Sequence, residues 1–276
     1  MNAKQRLDTL LFERGLCPSR ERARTTIMSG RVYVEGHKEE KPGLAVRADA
    51  AVEVRGDPIG FVSRGGLKLD KALSVFQIDA AGALALDAGA STGGFTDCLL
   101  RRGAARVWAV DVGYGQLDWG LRRDERVVVM ERTNIRYVTP EQIGAALDIA
   151  VMDLSFISLK LVLEPVARLL KPDGRAVCLV KPQFEAGRDK VGKKGVVRDP
   201  AVHQTVLADF LEAAARCGYT AHGLSHSPVK GPEGNIEYLA CLARGAPPPA
   251  GPGISPEAAV TAAHAELNNT PVEVVR

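Results

Sequence analysis

The chain has only five cysteines in 276 residues, and none of them forms a Cys-x-x-Cys pair. Cys17, Cys98, Cys178, Cys217 and Cys241 are scattered and odd in number. That pattern argues against a disulfide framework and against a zinc site, and no metal is expected. Isolated cysteines of this kind read as small buried hydrophobes. No apolar run reaches the roughly 20 residues that a membrane-spanning helix needs. The opening Met-Asn-Ala-Lys-Gln-Arg6 is followed by no apolar signal core. The expectation is a reducing, cytoplasmic setting with no membrane partner. Neither sign of charge dominates: 36 Lys and Arg face 33 Asp and Glu, a net +3. Where the charges sit therefore says more than their sum.

What is present begins with residues 83–100, which read as a buried strand, an acid at its end, a glycine-rich turn and a helix. Gly89, Gly93 and Gly94 carry no Cβ, so the backbone can turn sharply and approach a ligand closely. The helix that follows presents unpaired N–H groups. Dinucleotide sites use Gly-x-Gly-x-x-Gly. Here the spacing is Asp87-x-Gly89-x-x-x-Gly93-Gly94, which does not fit. It matches the loop that wraps S-adenosylmethionine, so Asp87, Gly89, Ala90, Ser91, Thr92, Gly93, Gly94 and Phe95 are the candidate cofactor residues. Asp111 ends the next strand, where a carboxylate bonds ribose hydroxyls. A turn with no ligand is the competing reading.

Around that motif the chain alternates strands at 83–87, 107–112, 127–130, 148–153 and 176–181 with helices at 95–102, 116–122, 140–147 and 160–170. This is the pattern of a doubly wound α/β sheet. Residues 236–242 read as a late edge strand. A Pro-rich stretch then leads to a short helix capped by Ser255, with Pro256 at its first position.

In such sheets the site lies beyond the carboxyl ends of the strands. Asp153, Lys181 and Asn134 stand at or just past three of those ends. A lysine that ends an apolar strand needs a partner, because burying a lone ammonium is costly. A carboxylate one strand away would be a natural partner.

The first 55 residues have a different character: helix, helix, strand, turn, strand. The first helix covers 6–15 and the second starts at an expected cap on Ser19. Arg20, Arg22, Arg24 and Arg31 gather there against Glu21 alone, with Arg6 ahead of them. A charge run is usually a solvated helix face. Here Ser29-Gly-Arg-Val-Tyr-Val-Glu-Gly36 and Lys41-Pro42 resemble the small RNA-binding domain first described in ribosomal protein S-four. Such a domain holds folded RNA through shape and phosphate contacts.

Several motifs together are similar to the TlyA family, whose older name is hemolysin. They are Ser63-Arg-Gly-Gly-Leu-Lys-Leu69, the Asp87–Asp97 loop, Met152-Asp-Leu-Ser-Phe-Ile157, Val180-Lys-Pro-Gln-Phe-Glu185, residues 187–198 and Gly234-Asn-Ile-Glu-Tyr238. The resemblance runs over residues 4–243. It implies a Rossmann-like S-adenosylmethionine-dependent methyltransferase fold with a small N-terminal α+β RNA-binding domain. It implies an FtsJ-like enzyme that methylates ribose 2'-hydroxyls of ribosomal RNA, with cytidine as target. The FtsJ-type Lys-Asp-Lys-Glu tetrad carries over to Lys68, Asp153, Lys181 and Glu237. One departure from the family pattern is the linker, Pro58-Ile-Gly-Phe61, where relatives often have Trp.

The tetrad has a physical rationale of its own. A ribose hydroxyl is a poor nucleophile, so an enzyme must align it with the methyl and ease loss of its proton. A lysine serves as base once burial or a neighbouring cation lowers its pKa. Lys181 is assigned as base and Lys68 as the group that orients ribose or phosphate; the two roles are interchangeable on sequence alone. The Gly-rich basic loop after Lys181, with Lys190, Lys193 and Lys194, is expected to close over RNA phosphates, and Arg64 to help. The domain reading is 1–55 RNA-binding, 56–62 linker, 63–244 methyltransferase and 245–276 tail. Three other readings stay open at this point: a membrane-active hemolysin, a non-catalytic RNA-binding protein, and a pseudouridine synthase. The glycine loop speaks against the last. Oligomeric state is not legible.

Overall fold

The computed structural model describes residues 4–17, 20–28, 30–54, 60–231, 233–247 and 253–268. The cap expected at Ser19, the Arg22 side chain, most of the linker (55–59) and tail residues 248–252 lie outside the described residues. The chain divides into two units, Met1–Pro58 and Ile59–Thr270.

In the first unit α1 (Leu7–Glu13) and α2 (Arg20–Met28) pack together. Strand β1 (Lys4–Arg6) pairs with β4 (Ala45–Arg47), while β2 (Val32–Val34) pairs with both β3 (His37–Glu39) and β5 (Val52–Val54). Leu7, Leu10, Leu11, Ala23, Ile27 and Val32 form its buried core. They recur every three or four residues on the helices, as an inward face must. The short strands β1, β3 and β4 carry no alternating apolar pattern and were not predicted by the sequence. The arginines are also less solitary than their spacing suggests. Asp8 is buried and accepts two bonds from Arg6, at 3.0 and 2.9 Å, and Arg20 approaches it to 3.6 Å. The Arg6 guanidinium holds the Asp8 carboxyl below its ordinary range.

The second unit is built on a seven-stranded sheet. Its strands are β6 (Leu84–Ala88), β7 (Arg106–Val110), β8 (Val127–Met130), β9 (Leu147–Met152), β10 (Leu170–Val180), β11 (Tyr219–His226) and β12 (Tyr238–Arg244). The order across the sheet is β11-β12-β10-β9-β6-β7-β8. Strands β6 to β10 run parallel and β12 is antiparallel to both its neighbours. The helices are α3 (Gly65–Val75), α4 (Gly94–Arg101), α5 (Trp119–Arg123), α6 (Pro140–Ile143), α7 (Leu163–Leu169), α8 (Pro182–Glu185), α9 (Pro200–Arg216) and α10 (Pro256–Asn268). One core fills each face of the sheet.

The expected edge strand at 236–242 is not at the edge. It starts at Tyr238 and lies between β10 and β11. Its Tyr-Leu-Ala-Cys-Leu-Ala run is apolar on both faces, as a strand covered on both sides must be. The edge belongs to β11, whose mixed sequence and bulge between Ala221 and Gly223 suit an exposed rim. Helix α9, absent from the sequence reading, starts at Asp199, whose carboxylate accepts from Ala201 N–H at 2.9 Å, with Pro200 at its first position. It buries Val206, Leu207 and Phe210, each contributing roughly 1.5–3 kcal/mol. Ser255 caps α10 as expected, accepting from Ala258 N–H at 3.1 Å. That helix is more than a tail feature. Ala259, Val260, Ala263 and Leu267 join the sheet core, and Glu266 pairs with His226 at 3.0 Å.

Candidate active site

The site forms where β6, β9 and β10 end. After β6 the chain turns through Gly89, at φ +88°, and a Cβ there would stand 2.6 Å from the Asp153 carbonyl oxygen. Only glycine lets the loop pass that close to the end of β9. Further on, α3 and α4 start side by side. A Cβ on Gly94 would lie 2.2 Å from Ser63 Oγ and 2.9 Å from the Gly66 nitrogen. Two helix N-termini thus converge on one cleft of about 290 Å³. Gly89, Ala90, Ser91, Thr92, Gly94 and Phe95 line it together with Lys68, Asp153, Lys181 and Glu237.

The four charged residues form two pairs. Lys181 Nζ lies 2.6 Å from Asp153 Oδ1 and donates to Ser155 Oγ at 2.9 Å. Lys68 Nζ lies 2.6 Å from Glu237 Oε2. Both lysines are 8% exposed and Glu237 is 1% exposed. Charges this deep persist only when paired, because desolvation alone costs several kcal/mol per ion. The lysines therefore keep their positions through their carboxylates. Arg64 and Lys230 stand at the same cleft.

Other candidate residues sit apart from it. Asp111 lines a second, narrow cleft of about 10 Å³ with Ala90, Ser91, Gly113, Gln116 and Glu131. Its carboxylate accepts from the N–H groups of Ser91 at 2.8 Å and Gly113 at 2.7 Å. A carboxylate has lone pairs beyond those two, so hydroxyl groups can still bind. Asn134 caps the single turn Ile135–Tyr137, accepting from Arg136 N–H at 3.1 Å. Gly93 starts α4 in a left-handed conformation. Lys190, Lys193 and Lys194 are exposed and line neither cleft. The end of their loop is pinned, since Asn235 Oδ1 accepts from Val197 N–H at 3.0 Å and its Nδ2 donates to the Gly195 carbonyl at 2.9 Å.

Asp87 is fully buried behind the glycine loop. Thr96 Oγ1 donates to its Oδ2 at 2.7 Å, and Oδ1 has no hydrogen-bond partner among the described residues. Burial pushes its pKa up to about 7, while the Thr96 bond acts against that shift. Unfolded, the same carboxyl ionises near 3.8. Between those values the folded state binds more protons, so stability falls as pH rises from about 4 to 7. Asp87→Asn is expected to flatten that part of the pH–stability profile, as read by chemical denaturation. A slope unchanged in the variant would assign the titration elsewhere. The orphaned oxygen also suits a cationic cofactor over the loop, which favours the ionised carboxylate.

Four contributors were missed by sequence reasoning. Ser155 and Ser63 had a signal in their place within quoted motifs; Lys230 had none. Glu185 accepts from Ser158 Oγ at 2.6 Å and Leu159 N–H at 2.7 Å, so α8 and the loop after β9 are clasped together. In that loop Phe156, at φ +64°, is 91% exposed and contacts Phe184 with ring centroids 5.2 Å apart.

A parallel sheet of this order with one inserted antiparallel strand, and a glycine loop after β6, defines an S-adenosylmethionine-dependent methyltransferase. Residues 61–244 match the FtsJ-like methyltransferase family, and residues 5–52 match the S4 domain. YqxC of Bacillus subtilis (strain 168), provisionally named an rRNA methyltransferase, is 53% identical over 86% of this chain and 84% of its own length. The 16S/23S rRNA (cytidine-2'-O)-methyltransferase TlyA of Mycobacterium tuberculosis (strain CDC 1551 / Oshkosh) is 48% identical over 88% of this chain and 91% of its own. A solved Streptococcus thermophilus protein, provisionally named a hemolysin, superposes with a TM-score of 0.75 at 40% identity, covering 97% of this chain and 98% of that one. The chain belongs to the TlyA family of FtsJ-like methyltransferases.

Proposed function

We propose that this chain methylates a ribose 2'-hydroxyl of ribosomal RNA, at a cytidine. The observation that carries this reading is the pair of Lys–carboxylate couples that line one cleft with the glycine loop. Bound S-adenosylmethionine supplies a methyl group already activated by its sulfonium. The loop 89–95 is the place to hold its methionine portion, and Asp111 its ribose. What the chain must add is alignment of the acceptor and a route for its proton. Lys181 is assigned to the acceptor hydroxyl, with Asp153 and Ser155 fixing its ammonium head. Lys68, held by Glu237, is assigned to orient the ribose or its phosphate. Phe156 offers an exposed ring face beside that acceptor position.

The N-terminal unit supports RNA as the substrate. Arg6, Arg20, Arg24 and Arg31 are assigned to phosphates, with Asp8 fixing the direction of two of them. Arg64 is assigned to the RNA strand entering the cleft, and Lys190, Lys193 and Lys194 to its rim. We take ribosomal subunits in the cytoplasm as the setting. Among the described residues no helix is long and apolar enough to cross a membrane. Replacing both Arg20 and Arg24 with Gln is expected to lower the salt dependence of RNA binding, by about one unit of log–log slope per lost phosphate contact. An unchanged slope would remove these arginines from the interface.

The test of the whole reading is direct. The protein is incubated with labelled S-adenosylmethionine and separated bacterial ribosomal subunits, and the modified position is mapped. Label at a cytidine ribose is the expected result. Label on a base, or none on either RNA, would overturn it.

A further inference from the structure

The turns that follow β7 and β8 carry three exposed rings that line neither cleft, although Gly113, Gln116 and Glu131 of the same turns line the narrow one beside Asp111. Tyr114 is 69%, Trp119 63% and Tyr137 71% exposed. Each ring has an arginine over it: Arg132 lies 4.3 Å from the Tyr114 centroid, Arg123 4.8 Å from Trp119 and Arg136 5.3 Å from Tyr137. Such pairs occur about once per 70–80 residues in folded proteins. Three within residues 114–137 is a concentration that packing does not call for, since exposed rings gain little from burial.

The segments that carry them are knitted together. Arg132 N–H donates to the Gly113 carbonyl at 2.9 Å, and Gly115 N–H to Glu131 Oε1 at 2.8 Å. Glu131 is also bonded by Arg122, the neighbour of Arg123 on α5. Thr133 N–H donates to the Asp111 carbonyl at 2.9 Å, which ties the turn leading to Tyr137 to the end of β7. Glu131 is engaged with Arg122 and Asp124 with Arg126, while Asp118 and Asp111 accept from backbone N–H groups. Arg123, Arg132 and Arg136 have rings as their described contacts. Arg136 Nε is buried without a hydrogen-bond partner among the described residues.

We propose that the rim of the sheet at the carboxyl ends of β7 and β8 is a second RNA-contact surface. It takes unstacked bases of a single-stranded or looped segment of the substrate on Tyr114, Trp119 and Tyr137, with the three arginines on the adjoining phosphates. The proposal rests on the reading of this chain as an RNA methyltransferase and names where that RNA is held away from the reacting ribose. Aromatic faces accept any base, because every base has a π-face. Guanidiniums stacked on those faces leave their N–H edges free for phosphate oxygens. The pairing of ring and arginine is thus suited to a stacked base beside its own phosphate. A purely apolar protein partner has no use for the guanidiniums.

Three full-length proteins test this: the wild type, Y114A/W119A/Y137A, and Y114F/W119F/Y137F. Each is titrated with purified, protein-free bacterial ribosomal RNA, and each is checked for thermal unfolding and S-adenosylmethionine affinity. The alanine variant is expected to bind RNA about 1,000-fold more weakly, from roughly tenfold for each of the three rings. The phenylalanine variant should stay within about threefold of wild type, because its rings still stack. Cofactor affinity and unfolding temperature should not move. Wild-type RNA affinity in the alanine variant overturns the proposal, and so does an equal loss in both variants. Photo-crosslinks from this face to ribosomal protein rather than RNA, in intact subunits, also overturn it. If the triple variant does not fold, W119A alone carries the comparison. If wild type binds RNA without transferring methyl, the enzymatic reading falls and the surface is judged by the same titrations. If wild type binds no RNA, both fall.

Discussion

Lys181→Ala is expected to reduce methyl transfer by roughly 10³-fold while S-adenosylmethionine still binds. The expectation follows from position. Lys181 ends β10, with its ammonium held 2.6 Å from Asp153 Oδ1 and 2.9 Å from Ser155 Oγ. It lines the same cleft as the glycine loop, where it is assigned to the acceptor. Truncation removes the group assigned to the acceptor hydroxyl, which as a neutral amine would take up its proton. The loop 89–95 and Asp111 are untouched, so the contacts assigned to the cofactor are kept. Single-turnover transfer of labelled methyl, beside calorimetric cofactor binding, separates the two effects. Near-wild-type transfer would take Lys181 out of the chemistry. Loss of cofactor binding together with transfer would place it on the cofactor instead.

Glu237→Ala should be as damaging to activity and far more damaging to the fold. Glu237 is 1% exposed and its partner Lys68 8%. Removing the carboxylate leaves an ammonium buried without its counter-charge, which costs about 3–5 kcal/mol. Replacing both partners with apolar residues of similar size, as in K68M/E237M, should restore most of that stability, because neither charge then remains buried. Activity should stay lost, since the double variant has no group to orient the ribose. Denaturant unfolding and methyl transfer read the two properties separately. A double variant as unstable as the single one would mean that Glu237 acts through something other than Lys68. An active double variant would remove the pair from catalysis.

Much of this was legible in the residues themselves. The glycine loop, the acids Asp87 and Asp111 and the lysine ending β10 are local features, set by one strand end and one turn. The strand periods located β6 to β10 to within a few residues, except for an early extension of β10 back to Leu170. Capping chemistry located α10 through Ser255 and Pro256. Helix α9 had the same kind of signal in Asp199 and Pro200 and was still missed. Its small, alanine-rich face gives weak contrast between core and solvent.

The residues by themselves determined a glycine loop shaped for S-adenosylmethionine, a doubly wound sheet, and a tetrad identified by family motif. Only the tertiary structure decided which lysine pairs with which carboxylate. Lys68 and Glu237 stand 169 positions apart, and Lys181 bonds a serine 26 positions earlier. It also decided that β12 is interior, that Asp87 is sealed behind the loop, and that the arginines of the turns after β7 and β8 lie over neighbouring rings. Periodicity and capping act over a few residues, so a sequence displays them directly. Pairings between distant segments depend on how strands cross and order in the sheet, and no local pattern encodes that order.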